Sequence, residues 1–161
     1  MQQCCTSKVF FKKDIRFLSL THMDSTHTVI DLLKSHQLRS TAVRKQVLEL
    51  FLQSKHAIGK INIEQELEEI DRITLYRTLR TFEQKGIIHQ AMDGSGKTKY
   101  ALCSHKCDEH KHHDHHAHFH CKSCKKTICM DEISLPKLAI PEGYQIESAQ
   151  LILSGKCNEC K

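Results

Sequence analysis

The sequence lacks any long hydrophobic run and is poor in proline. No apolar stretch reaches the roughly 20 residues that a membrane-spanning helix needs, so we expect no membrane partner. The two prolines, Pro136 and Pro141, lie close together and limit any helix between them to a turn or two. The C-terminal part is therefore predicted to be a small sheet with little helix.

A secretory signal is also missing, because charged residues interrupt the opening of the chain. Residues 1–22 show no steady hydrophobic period, and Met23 offers an alternative start. We expect this leader to be disordered or wrongly assigned, and the protein to be cytoplasmic.

The overall composition is that of a globular protein. With 161 residues, 39% of them hydrophobic and 27% charged, the chain suits one ordinary core or two small ones, and we expect two small domains. A net charge of +5 permits an anionic partner, although an excess of lysine is also typical of an ordinary solvated surface. Charge alone does not decide between these interpretations.

Cysteine and histidine, by contrast, are abundant and clustered. Eight of the thirteen histidines and five of the nine cysteines fall within residues 103–129, which read CSHKCDEHKHHDHHAHFHCKSCKKTIC. Neutral imidazole nitrogen and thiolate sulfur are the ligands that zinc prefers. In a reducing cytoplasm, closely spaced cysteines bind metal more often than they form disulfides.

The first part of the chain predicts a row of three helices. The first ends near His36, the second has Ser40 or Thr41 as its N-cap, and the third is capped by Asn62. They precede a fourth segment that carries the clearest helical pattern.

That fourth helix covers DRITLYRTLRTFEQKGII, where Leu75, Leu79 and Phe82 recur at helical spacing and Gly86 supplies the stop. Its other face is polar and basic, as in any amphipathic surface helix. It also suits DNA recognition, because arginine and tyrosine near a helix start match phosphates and base edges. This face carries Thr74, Tyr76, Arg77, Arg80 and Thr81.

Two extended runs follow, around the turn sequence Asp93-Gly94-Ser95-Gly96, which predicts a hairpin. Helices followed by a hairpin form a winged helix, and this order favours DNA binding. We expect the ammonium groups of Lys97 and Lys99 on the wing to contact DNA phosphates.

Two Cys-x-x-Cys pairs predict a structural metal site. Cys121 and Cys124 are separated from Cys157 and Cys160 by 32 residues. Each pair places two thiolates on one tight turn, and together they complete a closed tetrahedral zinc site. A domain too small for a large core gains much of its folding free energy from such an ion.

A second site is predicted beside it. His116 and His118 are two apart on a predicted strand, so both imidazoles face the same side. Cys103 and His89, on the two strands of the wing, can reach the same space, and His56 is a further candidate. Metal bound there would fix the DNA-binding half relative to the sheet, as a sensor requires.

Two other interpretations of the histidines remain open. His110, His112 and Asp114 belong to a His-x-His-x-Asp-His pattern typical of dinuclear zinc hydrolases of the metallo-β-lactamase type. That match is weak, because the first hundred residues are predicted to form helices and a wing, which is not the large domain of such a hydrolase. Residues 105–113 would also suit a fluctuating tract that buffers metal without a fixed site.

Taken together, residues 24–161 resemble the ferric uptake regulator family of metal-responsive repressors. The resemblance is carried by LRSTAVRKQVLELF, by DRITLYRTLRTFEQKGI, and by HAHFHCKSC with CNEC. It implies an α+β fold, with a winged helix-turn-helix domain over 23–100 and a small α/β dimerisation domain with structural zinc over 101–161. It also implies a homodimer that binds palindromic double-stranded DNA operators, without enzymatic activity or a small-molecule substrate.

The resemblance also assigns residues. Tyr76 and Arg77 match family residues of the recognition helix, and Arg39 and Arg44 match basic residues that approach the DNA backbone. His56 matches a histidine of the inter-domain site in iron and peroxide sensors. The predicted DNA-binding set is Arg39, Arg44, Tyr76, Arg77 and Arg80.

Within the family, Cys103 is similar to a cysteine of the zinc uptake regulators. Thiolate in place of carboxylate favours zinc over iron(II), so we expect a zinc sensor, with iron, manganese or peroxide sensing as the alternative. Cys129 stands where relatives have a carboxylate ligand and is either a substitute ligand or a buried thiol. The predicted sensor set is His89, Cys103, His116 and His118, with His56 and Cys129 as additional candidates.

Overall fold

The computed structural model describes residues 22–103, 116–147 and 149–161, with side chains from Thr28 onwards. The helices are α1 His22–Ser35, α2 Ala42–Gln53, α3 Lys60–Glu66 and α4 Arg72–Gln84. The strands are β1 Ile58–Gly59, β2 Ile88–Gln90, β3 Lys99–Leu102, β4 His116–Cys121, β5 Thr127–Ser134 and β6 Leu151–Gly155, followed by a 3-10 turn at Asn158–Cys160. Within the described ranges, no helix is both long and apolar enough to cross a bilayer.

The ends of the helices follow local side-chain chemistry. Thr41 caps α2 by accepting a hydrogen bond from the backbone N–H of Arg44, and Asp71 caps α4 in the same way. Gly86 follows α4 with a φ of 70°, as predicted for the left-handed stop. The predicted cap at Asn62 is wrong, because α3 begins at Lys60, as soon as the pairing of β1 with β3 ends.

A three-stranded antiparallel sheet of order β1-β3-β2 packs beside the helices, which is the predicted winged helix. Its hairpin is closed at Gln90 and Tyr100, and Gly94 and Gly96 at the tip both have positive φ. The stripe of Leu75, Leu79 and Phe82 is buried in one hydrophobic core. The other members of this core are Val29, Leu33, Val47, Leu48, Phe51, Ile63, Ile87, Ile88 and Tyr100.

The second sheet has the order β5-β4-β6, with β4 antiparallel to β5 and parallel to β6. Of the described residues between 144 and 155, only Leu151–Gly155 forms a strand. The described residues from 135 to 150 contain no helix, in line with the restriction set by the two prolines. Among the described residues of the C-terminal part, the buried apolar ones are Ala117 and three cysteines, so apolar burial contributes little to its stability.

The two parts of the chain meet at the base of the wing. The backbone N–H of Ala57 donates to the carbonyl of Thr127 at 2.8 Å. The Lys99 ammonium donates to the carbonyl of Lys125 at 2.9 Å and to Thr127 Oγ1 at 2.8 Å. These bonds connect β1 and β3 to β5 and to the turn before it.

Candidate metal centres and recognition surface

The four paired cysteines converge as their spacing predicts, and we call them the cysteine clamp: Cys121, Cys124, Cys157 and Cys160. Their sulfur atoms lie within 4.8 Å of one another. The Sγ atoms of Cys124 and Cys157 are 3.8 Å apart, which is about the edge of a tetrahedron with zinc–sulfur bonds of about 2.3 Å. The donor set and its spacing therefore fit a closed zinc site.

Backbone geometry prepares the clamp for a cation. Hydrogen bonds from the backbone N–H groups of Cys124 and Cys157 lower the pKa of the Cys121 thiol to about 6. The sulfur is therefore largely thiolate at neutral pH, the form that binds metal. An ion pair of 3.0 Å between Lys126 and Glu159 also connects the two turns of the clamp.

A second group of donors lies between the wing and the second sheet, and we call it the histidine cluster: His89, His116, His118 and Cys129. Its ligand atoms also lie within 4.8 Å of one another. His89 Nε2 is 3.3 Å from His118 Nε2 and 3.4 Å from Cys129 Sγ. These distances are close to the edges of a tetrahedron with zinc–nitrogen bonds of about 2.0 to 2.1 Å.

The ring nitrogens of the cluster favour a cation among them. His116 Nε2 is buried and has no hydrogen-bond partner among the described residues, which is costly without a ligand to satisfy it. Burial, followed by the neighbouring His116, lowers the pKa of His118, so this imidazole is held in its neutral, metal-binding form. Asp131 Oδ1 lies 3.6 Å from His116 Nδ1 on the other side of the ring. The residues therefore fit a bound metal.

Two of the predicted sensor residues lie outside this group of four. Cys103 Sγ is 3.6 Å from His89 Nδ1, the ring nitrogen opposite to the one that faces His118. His56 is half-buried, and its Nδ1 contacts Ser54 Oγ at 2.9 Å. Cys129 takes the fourth position because the pairing of β4 with β5 places it directly opposite His118.

The hydrolase pattern of His110, His112 and Asp114, together with the possible metal-buffering tract 105–113, lies outside the described residues. The two metal centres are built without it. Both draw on β4, whose first half supplies two histidines of the cluster and whose last residue is a cysteine of the clamp.

A buried polar network secures the wing to the second sheet. Asp93 accepts hydrogen bonds from Lys99 Nζ at 2.7 Å, from Thr127 Oγ1 at 2.7 Å and from the Ser95 N–H at 2.9 Å. Burial alone would raise the pKa of Asp93, but the hydrogen bonds from Lys99, Ser95 and Thr127 outweigh it and hold the pKa far below its usual range. The expectation that Lys99 binds phosphate is wrong, because the buried carboxylate takes its ammonium, whereas Lys97 is exposed.

We expect Asp93→Asn to lower the free energy of unfolding by about 1.5 to 3 kcal/mol, the range for hydrogen bonds to charged groups. Because folding depresses this pKa, the contribution is full above about pH 4 and is lost as the pH falls below that value. Urea denaturation at neutral pH measures the change. Glu142→Gln removes an exposed charge and serves as the control, and equal effects of the two variants would contradict the role of the network.

The predicted DNA-binding side chains are accessible. Tyr76, Arg77 and Arg80 are exposed on α4, opposite its buried stripe. Arg39 is exposed, and its carbonyl accepts a hydrogen bond of 2.9 Å from Nη1 of the half-buried Arg44. Arg77 and Arg80 thus place two positive charges on the exposed face of α4, and Arg39 and Arg44 contact each other in the segment around the start of α2.

Comparison with known proteins assigns the chain to a family. The model of the ferric uptake regulator family matches residues 35–154, which include α4, the strands β2 and β3 of the wing, and most residues of the clamp and the histidine cluster. The chain belongs to the ferric uptake regulator family. Members of this family are metal-sensing, DNA-binding transcription regulators and not enzymes.

Individual relatives agree with this assignment. The chain is 32% identical over 144 residues to the ferric uptake regulation protein of Staphylococcus aureus (strain Mu50 / ATCC 700699), covering 85% of this chain and 98% of that protein. A zinc uptake regulator solved with zinc and DNA matches with a TM-score of 0.61 at 19% identity, covering 87% and 95% of the two chains. The Vibrio cholerae ferric uptake regulator matches with a TM-score of 0.51 at 23% identity, covering 80% and 98%. These structural similarities support the α+β fold of the family.

Proposed function

We propose that this ferric uptake regulator family member is a zinc-responsive repressor, which binds a palindromic operator as a dimer when the histidine cluster holds zinc. The observation that carries the proposal is the composition of that cluster. Three imidazoles and one thiol converge there, one of them from the wing and three from the second sheet. The division into domains at 23–100 and 101–161 is part of this proposal.

The donor set supports zinc over iron(II). Nitrogen and thiolate sulfur suit zinc, whereas carboxylate oxygen is a harder ligand. Within the described residues, the cluster of four contains no carboxylate, and Asp131 contacts the far side of the His116 ring. A zinc uptake regulator solved with zinc and DNA is among the proteins that share this fold, as is a ferric uptake regulator, so the choice of zinc depends on the donor set.

In the proposed site, His89, His116, His118 and Cys129 hold the ion, and Cys103 has a supporting role. Cys103 Sγ lies 3.6 Å from His89 Nδ1, where it can accept a hydrogen bond from an Nδ1 proton and leave Nε2 for the metal. A bound zinc ion would supply positive charge and a fixed ligand geometry there. Its role would be structural and regulatory, without catalysis. The clamp holds a second, structural zinc ion.

The position of His89 explains how metal would control DNA binding. His89 lies on β2, which follows α4 after a short turn at Gly86. With metal bound, His89 is held against His118 of β4 and Cys129 of β5, and the orientation of the recognition helix is restricted. Such coupling is typically worth about 1 to 3 kcal/mol, or five- to 150-fold in affinity.

Exposed apolar side chains on the C-terminal part support a homodimer. Exposed large apolar side chains are candidates for an interface with another protein when they are grouped, and six of them belong to residues 133–152. These are Ile133, Leu138, Ile140, Tyr144, Ile146 and Ile152. Regulators of this family bind DNA as dimers, and a second copy of the chain is the proposed partner.

The test is operator affinity at buffered free zinc. Duplexes selected from a randomised library with the zinc-loaded protein provide the operator, and fluorescence anisotropy measures its dissociation constant. We expect affinity to rise five- to 150-fold as the cluster fills while the clamp stays occupied. An affinity independent of free zinc would disprove the sensor.

Iron sensing is the second candidate, because the Staphylococcus aureus relative is named for ferric uptake regulation. The same assay with buffered iron(II) and manganese(II) separates the alternatives. Tighter operator binding with iron(II) than with zinc, at matched occupancy of the cluster, would favour the iron regulator.

A further inference from the structure

The recognition face of α4 carries one large apolar side chain among polar ones. Ile73, the second residue of the helix, is 65% exposed. Residues three, four and seven apart lie on the same side of an α-helix, so Ile73 shares its face with three polar residues. These are Tyr76, Arg77 and Arg80.

A single exposed isoleucine on a protein surface often has no role, but the charges around this one select its partner. The first turn of α4 contains no acidic residue, and the carboxylate of Asp71 before it accepts a hydrogen bond from the Thr74 N–H at 2.9 Å. Lys60 Nζ lies 5.5 Å from the centre of the Tyr76 ring, which adds positive charge beside the face. Asp71 and Glu64, the partner of Lys60, add negative charge nearby. Arg77 and Arg80 nevertheless share the face of Ile73, and an apolar group beside two arginines at the positive end of a helix is complementary to DNA.

We propose that Ile73 is a specificity-determining residue that contacts the 5-methyl group of a thymine in the major groove. The inference rests on the proposed function. The N-terminal residues of a recognition helix reach the base edges, and thymine alone presents a methyl group there. Ile73 has no hydrogen-bonding group in its side chain, so it selects sequence through apolar contact. Cytosine, which lacks the methyl group, gives a weaker contact at the same position.

Deoxyuridine tests the contact directly, because it differs from thymidine only by the missing methyl group. In the selected operator, each thymine is replaced singly and the zinc-loaded full chain is titrated by anisotropy. We expect one position in each half-site where uracil weakens wild-type binding by about fourfold, the effect of burying one methyl group. In Ile73→Ala this uracil penalty disappears, and binding to the thymine operator is weaker to a similar extent.

Ile61→Ala is the matched control. Ile61 is 63% exposed on α3, and the helix before a recognition helix crosses the DNA backbone, so this variant should retain the wild-type uracil pattern. Unchanged thermal midpoints of both variants show that folding is intact. The inference is wrong, and the proposed function is unaffected, if the uracil penalty persists unchanged in Ile73→Ala. The same holds if the wild type shows no uracil penalty. If the zinc-loaded wild type binds no duplex, the proposed function falls and the inference falls with it.

Discussion

Cys121→Ser is expected to release one zinc ion per chain and to unfold the second sheet. Cys121 is fully buried and ends β4, the central strand, which pairs with both β5 and β6. Structural zinc stabilises zinc-finger peptides by about 10 kcal/mol or more, and this sheet has little apolar burial to replace it. Zinc content by mass spectrometry, with hydrogen exchange of β4 to β6, measures the two losses.

The winged helix provides an internal control for this prediction. Its core includes Phe51 and Phe82 and contains no metal ligand, so exchange of α2 and α4 should remain slow. Ser123→Ala alters an exposed side chain between two clamp cysteines and should keep both the metal and the sheet. A Cys121→Ser protein that lost zinc while β4 stayed protected would contradict the structural role of the clamp.

Cys129→Ser is expected to lower the affinity of the second zinc ion by more than roughly a hundredfold and to abolish zinc-dependent operator binding. Cys129 Sγ lies 3.4 Å from His89 Nε2 among the proposed ligand atoms. Loss of an outer partner of a ligand typically costs 10- to 100-fold in metal affinity, so Cys103→Ser should have the smaller effect. Competition with a zinc chelator measures both affinities.

Cobalt(II) distinguishes the two thiols independently of affinity. Cobalt added to protein that retains zinc in the clamp should show a sulfur-to-metal charge-transfer band in the near ultraviolet. This band should vanish in Cys129→Ser and persist in Cys103→Ser. The opposite pattern would show that Cys103 is the sulfur ligand and that His89 binds the metal through Nδ1. It would refute the proposed ligand set.

The features that could be predicted from the sequence are those set by local chemistry or by a repeated spacing. The buried stripe of Leu75, Leu79 and Phe82 defines a helix without reference to the rest of the chain. The Cys-x-x-Cys pairs define a clamp because each turn places its two sulfurs together. The hairpin follows from glycines that adopt positive φ at Gly94 and Gly96.

The features that could not be predicted depend on how separate elements pack. From the sequence, Lys99 is predicted to be an exposed cation of the wing. Only the packing of β3 against Thr127 brings its ammonium to the buried Asp93. Likewise, nothing near Cys129 distinguishes a ligand from a buried thiol. A signal was nevertheless available: the tight turn after Cys121 fixes the pairing of β4 with β5, and opposite residues share a face.

The sharing of β4 by both metal centres imposes an order on loading under the proposed function. The histidine cluster exists only after the clamp has folded this strand, so the first zinc ion creates the binding site for the second. At limiting zinc, a one-zinc protein that is folded but released from DNA should accumulate. The regulator would then respond only to zinc that remains after its clamps are filled. Newly made chains would bind zinc at their clamps first, and repression would begin only after that.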